Sequence, residues 1–186
     1  MYSKCDLRDC EAVVINSGKI FEKNFKASIP QDVFYYRLRD STASFYGGGD
    51  GSNIRFQASN MCDCILFWER TLYLCELKSH QGKSIPFNCI RKNQIEQLTK
   101  AAKFSFIIPL LVIFFPDVER CFAVHINDWN NLVDASKKKS ANIAEIEQAG
   151  YEIGVKKLKV NYKYDVENML KRLREDCHSG WRNRTF

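Results

Sequence analysis

Two short apolar runs, DCILFW at 63–68 and TLYLCELK at 71–78, meet at Glu69-Arg70 and constrain this chain more than any other feature. They predict a β-hairpin. A tight antiparallel turn centred between Glu69 and Arg70 pairs residues whose numbers sum to 139, which sets Asp63 opposite Glu76. Alternation along the strand puts Glu76 and Lys78 on one face and turns Leu77 into the core. Glu-Arg is not a favoured two-residue turn. A four-residue loop with the same centre keeps the pairing, whereas a three-residue loop separates the carboxylates unless a bulge corrects it.

Opposed residues in such a ladder hold their Cβ atoms about 4.5–5.5 Å apart. Two carboxylates about 4 Å apart repel by about 4 kcal/mol at an effective dielectric of about 20. Either one takes a proton or a cation sits between them. Asp63, Glu76 and the backbone carbonyl of Leu77 are hard oxygen ligands suited to Mg2+ or Mn2+. Lys78 would then orient an attacking water and offset charge growing on a phosphate. An E-x-K on a strand is by itself usually a surface ion pair. The aspartate opening the preceding run is what turns the reading toward catalysis.

The rest of the chain supplies a scaffold. A helix is expected at 17–28, capped by Ser17, with Ile20, Phe21 and Phe25 inward and Pro30 as its stop. A strand is expected at 33–39, a helix at 90–103, and strands at 106–115 and 121–126, the first starting late because of Pro109. Helices near 127–135 and at 141–149, the latter closed by Gly150, a strand at 153–163 and a helix at 166–176 complete the order. This predicts an α/β fold, a central mixed β-sheet flanked by helices, as a single domain over residues 1–186. The segment 41–60, with Gly47-Gly48-Gly49 and Asp50-Gly51, reads as a flexible or protruding loop, and 177–186 as a basic tail.

Among 186 residues, Lys plus Arg number 28 and Asp plus Glu 22, a net charge of +6 that is compatible with nucleic acid. From Lys156 onward nine Lys or Arg face four acids, so that stretch carries most of the excess; a solvated basic surface is the plainer reading. The longest apolar run, 104–115, is interrupted by Ser105 and Pro109 and is too short to span a bilayer, and the N-terminal residues carry no apolar signal region. An intracellular, cytoplasmic protein without membrane contact is expected. Eight cysteines without a CxxC pair, and three histidines, give little support to a structural zinc site. Cys62 and Cys64 are expected on one strand face opposite Asp63, and the thiols to be buried and free.

Asp63, followed by Glu76-Leu77-Lys78, resembles the active-site core of the PD-(D/E)xK nuclease superfamily. Gly18-Lys19-Ile20-Phe21-Glu22 in the first helix, the lead from Ser59 to Asp63, and Asn93-Gln94 after E-L-K narrow this. In order and spacing they resemble the RecU family of Holliday junction resolvases, from Gram-positive bacteria and their phages, over about residues 17–128. The resemblance implies a restriction-endonuclease-like core. It assigns Asp63 and Glu76 as metal-binding acids, Lys78 as the catalytic lysine, Glu22 as the first-helix acid joining the metal site, and Gln94 as a glutamine facing the active site. Taken singly, Glu22 and Gln94 read as ordinary helix residues. Cys62 stands where the superfamily's name has proline, Ser59 alone represents the family's Thr or Ser near the aspartate, and 41–60 takes the place of the family's stalk. The last sixty or so residues match no motif.

The resemblance further implies a Mg2+-dependent nuclease, with Mn2+ as a substitute, acting as a homodimer on a four-way DNA junction and nicking it symmetrically. Arg37, Arg39, Arg55, Lys83, Arg91, Lys92 and the C-terminal basic set are candidates for phosphate contacts, and Phe45, Tyr46 and Phe56 for stacking on bases. The alternatives are another endonuclease of the same superfamily, of restriction or repair type, a recombination factor that binds junctions without cutting, and a basic module with no nucleic-acid role.

Overall fold

The structure is a computed structural model that describes residues 7–38 and 60–179, with side chains from residue 17 and up to residue 176. The glycine-rich segment with Phe45, Tyr46, Arg55 and Phe56 falls outside the described residues except at Asn60, as do Arg39 and the tail beyond Ser179. Among the described residues, no helix is long and apolar enough to cross a membrane.

The chain runs α1 (Leu7–Ala27), β1 (Phe34–Arg37), β2 (Cys64–Trp68), β3 (Thr71–Ser79), β4 (Ser84–Pro86), α2 (Lys92–Ala101), β5 (Ile107–Phe115), β6 (Arg120–His125), α3 (Ile126–Ala135), β7 (Ser140–Asn142), α4 (Ile143–Ala149), β8 (Gly150–Ile153), β9 (Val155–Lys157), β10 (Tyr162–Tyr164) and α5 (Val166–Ser179). Six strands form the main sheet in the order β1-β2-β3-β5-β6-β8. Only β3 and β5 pair in parallel, with α2 in the crossover between them, so the sheet is mixed, as expected.

Alternation splits the sheet's residues between two cores. Tyr73, Cys75 and Leu77 of β3 and Leu110, Val112 and Phe114 of β5 pack beneath α1 and α5 with Phe21, Phe25, Tyr164 and Leu170. Leu74 of β3 and Leu111, Ile113 and Phe115 of β5 pack on the other face with Leu98, Trp129 and Ile146 of α2, α3 and α4. The near-continuous apolar sequence of β5 is explained by burial on both faces.

Several local expectations are corrected. The first helix begins at Leu7, so Ser17 lies inside it rather than at its cap, and Ile20 is 42% exposed while Phe21 and Phe25 are buried. Pro109 does not delay β5; it sits in the strand opposite Leu74. The bonds from Leu72 N–H to Phe106 and from His80 N–H to Phe114 place the even residues of β5 in the β3 ladder. Pro109 therefore turns its missing donor to the other side, one residue before β6 pairing starts at Leu110↔His125, where no ladder bond is lost. The strand expected at 153–163 is three pieces: β8 closes the main sheet, and β9 and β10 form a separate hairpin. The short pair β4 and β7 has no counterpart among the expected elements. Gly150 ends α4 and opens β8, and a Cβ there would stand 2.5 Å from the Ala123 carbonyl oxygen, so only glycine lets β8 approach β6.

Candidate active site

The hairpin register holds. Cys64↔Cys75 through Trp68↔Thr71 are the observed pairs, centred between Glu69 and Arg70, and the turn is a two-residue one. Both turn residues take positive φ, 43° and 66°, the left-handed pair that joins strands of normal twist. The ladder, however, stops one pair short of Asp63. There the Asp63 N–H donates to the Cys75 carbonyl (3.1 Å), and a carboxylate oxygen of Asp63 accepts from the Leu77 N–H at 2.7 Å. This irregularity also overturns the expectation for the cysteines: Cys64 joins the α1-side core and Cys62 the opposite one, because the chain leaves strand geometry between them.

Leu77 points its side chain into the α1-side core, as expected. Its N–H faces the β2 side, so its carbonyl does too, just past the last β2 pair. Glu76 projects from the other face and is fully buried, with neither oxygen holding a hydrogen bond of good geometry. Lys78 Nζ lies 2.6 Å from Glu76 Oε1. Burial first, and then the Asp63 carboxylate, push Glu76 up to about 7, while Lys78 and the side chain of Gln94 favour its charged form. Burial works against the Lys78 ammonium, but Glu76 and Asp63 outweigh it and raise its pKa.

Gln94 is buried on α2, and its side-chain oxygen accepts from the Arg91 N–H at 3.3 Å, which locks the first turn of the helix beside Glu76. Asp63, Glu76, Leu77, Lys78 and Gln94 are thus brought together at the C-terminal end of β3. Glu22 stands apart. It lies on α1, against the opposite sheet face, and is ion-paired with Arg37 at 2.6 Å, so two residues given different roles form one pair. Among the described residues, no three His, Cys, Asp or Glu side chains gather as a ready cage for a metal. Of the remaining cations, Lys83, Arg91 and Lys92 are exposed beyond β3 and at the start of α2, Lys92 facing Glu96 at 3.9 Å.

Two further residues border the site. Tyr35, pushed up to about 12 by burial and Cys64, also feels Arg37, Glu22 and Asp63, and so links the α1 pair to the carboxylate group. Cys89 has its thiol raised by burial, against the Lys78 ammonium beside it. Neither had a signal in sequence: both are contacts between segments far apart in the chain.

The donor set fits a divalent cation. A buried carboxylate contacted by an ammonium, a second acid oriented by a backbone N–H, and a carbonyl turned to the same side are hard oxygen ligands with charge to neutralise.

This chain is similar to several known proteins. The family described as Recombination protein U matches residues 52–168. The SPbeta prophage-derived uncharacterized protein YotM of Bacillus subtilis (strain 168) is 34% identical over 170 residues, covering 83% of this chain and 85% of that protein. Hjc of Archaeoglobus fulgidus, described as a Holliday junction resolvase from an archaeal hyperthermophile, is similar in structure at a TM-score of 0.42 and 14% identity. That likeness covers 78% of this chain and 91% of Hjc.

Proposed function

This chain belongs to the Recombination protein U (RecU) family, and from that membership and its site we infer that it is a structure-selective endodeoxyribonuclease resolving four-way DNA junctions. The observation that carries the reading is Glu76: a fully buried carboxylate, bare of directed hydrogen bonds, set against Asp63 and contacted by Lys78. Burying such a group has no structural benefit that a glutamine or leucine would not supply more cheaply.

Asp63, Glu76 and the Leu77 carbonyl would hold Mg2+, with Mn2+ as a substitute, and the ion would supply charge stabilisation at the scissile phosphate and a more acidic bound water. The chain's own residues do the rest. Asp63 is held by the Leu77 N–H, so its carboxylate keeps one direction. Lys78 projects from the same face as Glu76 and offers an ammonium to the phosphate oxygens or to the attacking water. Gln94, held by the Arg91 N–H, closes the α2 side. Glu22 acts through its ion pair with Arg37, positioning that guanidinium at the rim. Arg37, Lys83, Arg91 and Lys92, with Arg39 and Arg55, contact phosphates and fix register without reading sequence.

Resolution requires two symmetric nicks, hence a homodimer with one site per subunit. Exposed aromatics on one sheet face support it: Phe34 (59% exposed) stands opposite Phe67 (46%), with Tyr36 (53%) two residues on. The prophage-derived relative in Bacillus subtilis supports action in the cytoplasm of a bacterial host.

The test is a junction-cleavage assay in Mg2+ with the native chain, Asp63→Asn and Lys78→Ala. Both variants are expected to bind the junction and to lose at least about a hundredfold in nicking rate. Equal cutting of a junction and a linear duplex of the same sequence would favour a restriction- or repair-type nuclease. Junction binding without any nicking by the native chain would favour the non-cleaving factor.

A further inference from the structure

The hairpin of β9 and β10 is unexplained by the site. Its pairs are Tyr162↔Lys157, Lys163↔Lys156 and Tyr164↔Val155, and its tip closes through Leu158 N–H to Asn161 O at 2.7 Å. Tyr162, Tyr164 and Val155 face the α1-side core. The outward face therefore carries Lys156 and Lys163 directly opposite each other, with Leu158, and the tip adds Lys159 and Val160, the latter 86% exposed. Like charges directly opposed in a ladder weaken it. Among the described residues, no acid is paired with Lys156, Lys159 or Lys163. The nearby acids are engaged elsewhere: Glu119 with Lys157, Glu167 with Lys171, and Asp165 with the Asn168 N–H at the start of α5. A valine at a two-residue tip is also a poor turn former. The hairpin thus bears a charge and an apolar tip that its own folding does not favour.

Its location gives these features a use. β3 and β5 end side by side at Ser79↔Phe114, β6 begins there at Phe115↔Arg120, and β8 ends there at Cys121↔Ile153. The hairpin comes directly after β8 and folds back so that Tyr162 packs on Phe114, ring centroids 5.0 Å apart. The loop after β3 joins the same edge, where Gly82 N–H donates to Asp117 at 2.7 Å. Lys78 and the hairpin therefore emerge at one end of the sheet, from opposite faces.

Resting on the nuclease reading, we propose that the β9–β10 hairpin is a basic arm that grips a duplex arm of the junction beside the cleavage site. Lys156, Lys159 and Lys163 neutralise phosphates, relieving their mutual repulsion, and Val160 at the tip packs into a groove. Released counterions make each such contact visible as about 0.9 in the slope of log affinity against log salt.

The experiment compares the native chain with Lys156→Ala/Lys159→Ala/Lys163→Ala on a four-way junction without divalent metal, titrating salt. The triple variant is expected to bind at least tenfold more weakly at about 100 mM salt, with a slope shallower by about 2–3. Its melting temperature should equal or exceed the native one, since the opposed lysines are gone. Val160→Asn should weaken binding severalfold with the slope unchanged, and equal binding would remove the tip from the contact. An unchanged slope in the triple variant overturns the arm, even in a chain that nicks junctions. Failure of the native chain to nick in Mg2+ overturns the catalytic reading and leaves the slope to decide the arm.

Discussion

Glu76 is where local charge and global burial meet. Its ordinary value of 4.5 is raised to about 7 by burial and by Asp63, so in the metal-free protein the folded state holds a proton that the unfolded chain has released. The folded state then binds more protons than the unfolded one between those two values. Stability from this group is greatest below pH 4.5, falls by up to about 1.4 kcal/mol per pH unit on the way to 7, and levels off above. Urea unfolding of the metal-free protein between about pH 5 and 8 should show this decline, and Glu76→Gln should flatten it. At about pH 8, Mg2+ should raise the melting temperature of the native chain and not that of Glu76→Gln, since an ion that binds only the folded form stabilises it by mass action. The residue types of this cluster were legible in sequence because their chemistry is conspicuous on an apolar strand. Glu22 is the contrast: nothing in its helix announces that Arg37 of a later strand is its partner.

At the scale of elements, the β2–β3 hairpin was legible to its register because two apolar runs and a fixed centre leave one alignment that buries both faces correctly. The break at Asp63 was not, since alternation assumes a strand, and here a side chain replaces the ladder bond. Pro109 misled for a related reason: sequence shows a missing donor but not the side to which it points. Gly150 looked like a helix stop, and it is also the point where β8 can reach β6. Gly150→Ala puts a methyl group 2.5 Å from the Ala123 oxygen and must push the edge strand outward. A loss of about 1–3 kcal/mol in denaturant unfolding is expected, without a change in residues that line the site.

For the whole molecule, the requirement is two nicks placed symmetrically, and the exposed Phe34, Tyr36 and Phe67 lie on one continuous patch of sheet. For the proposed homodimer, the native chain is expected to be a dimer in light scattering and Phe34→Asp with Phe67→Asp a monomer. The monomer should nick one strand without resolving the junction. An unchanged dimer would place the interface elsewhere. Local patterning along the chain was enough to specify the class of fold, the hairpin register and the convergence of Asp63, Glu76 and Lys78, because hydrophobic period and short loops act over neighbouring residues. It took the packed molecule to show that Glu76 loses water entirely, that Glu22 turns to Arg37, and that the β9–β10 lysines share the sheet end with Lys78. Burial and long-range proximity depend on how distant segments pack, and no local pattern carries that information.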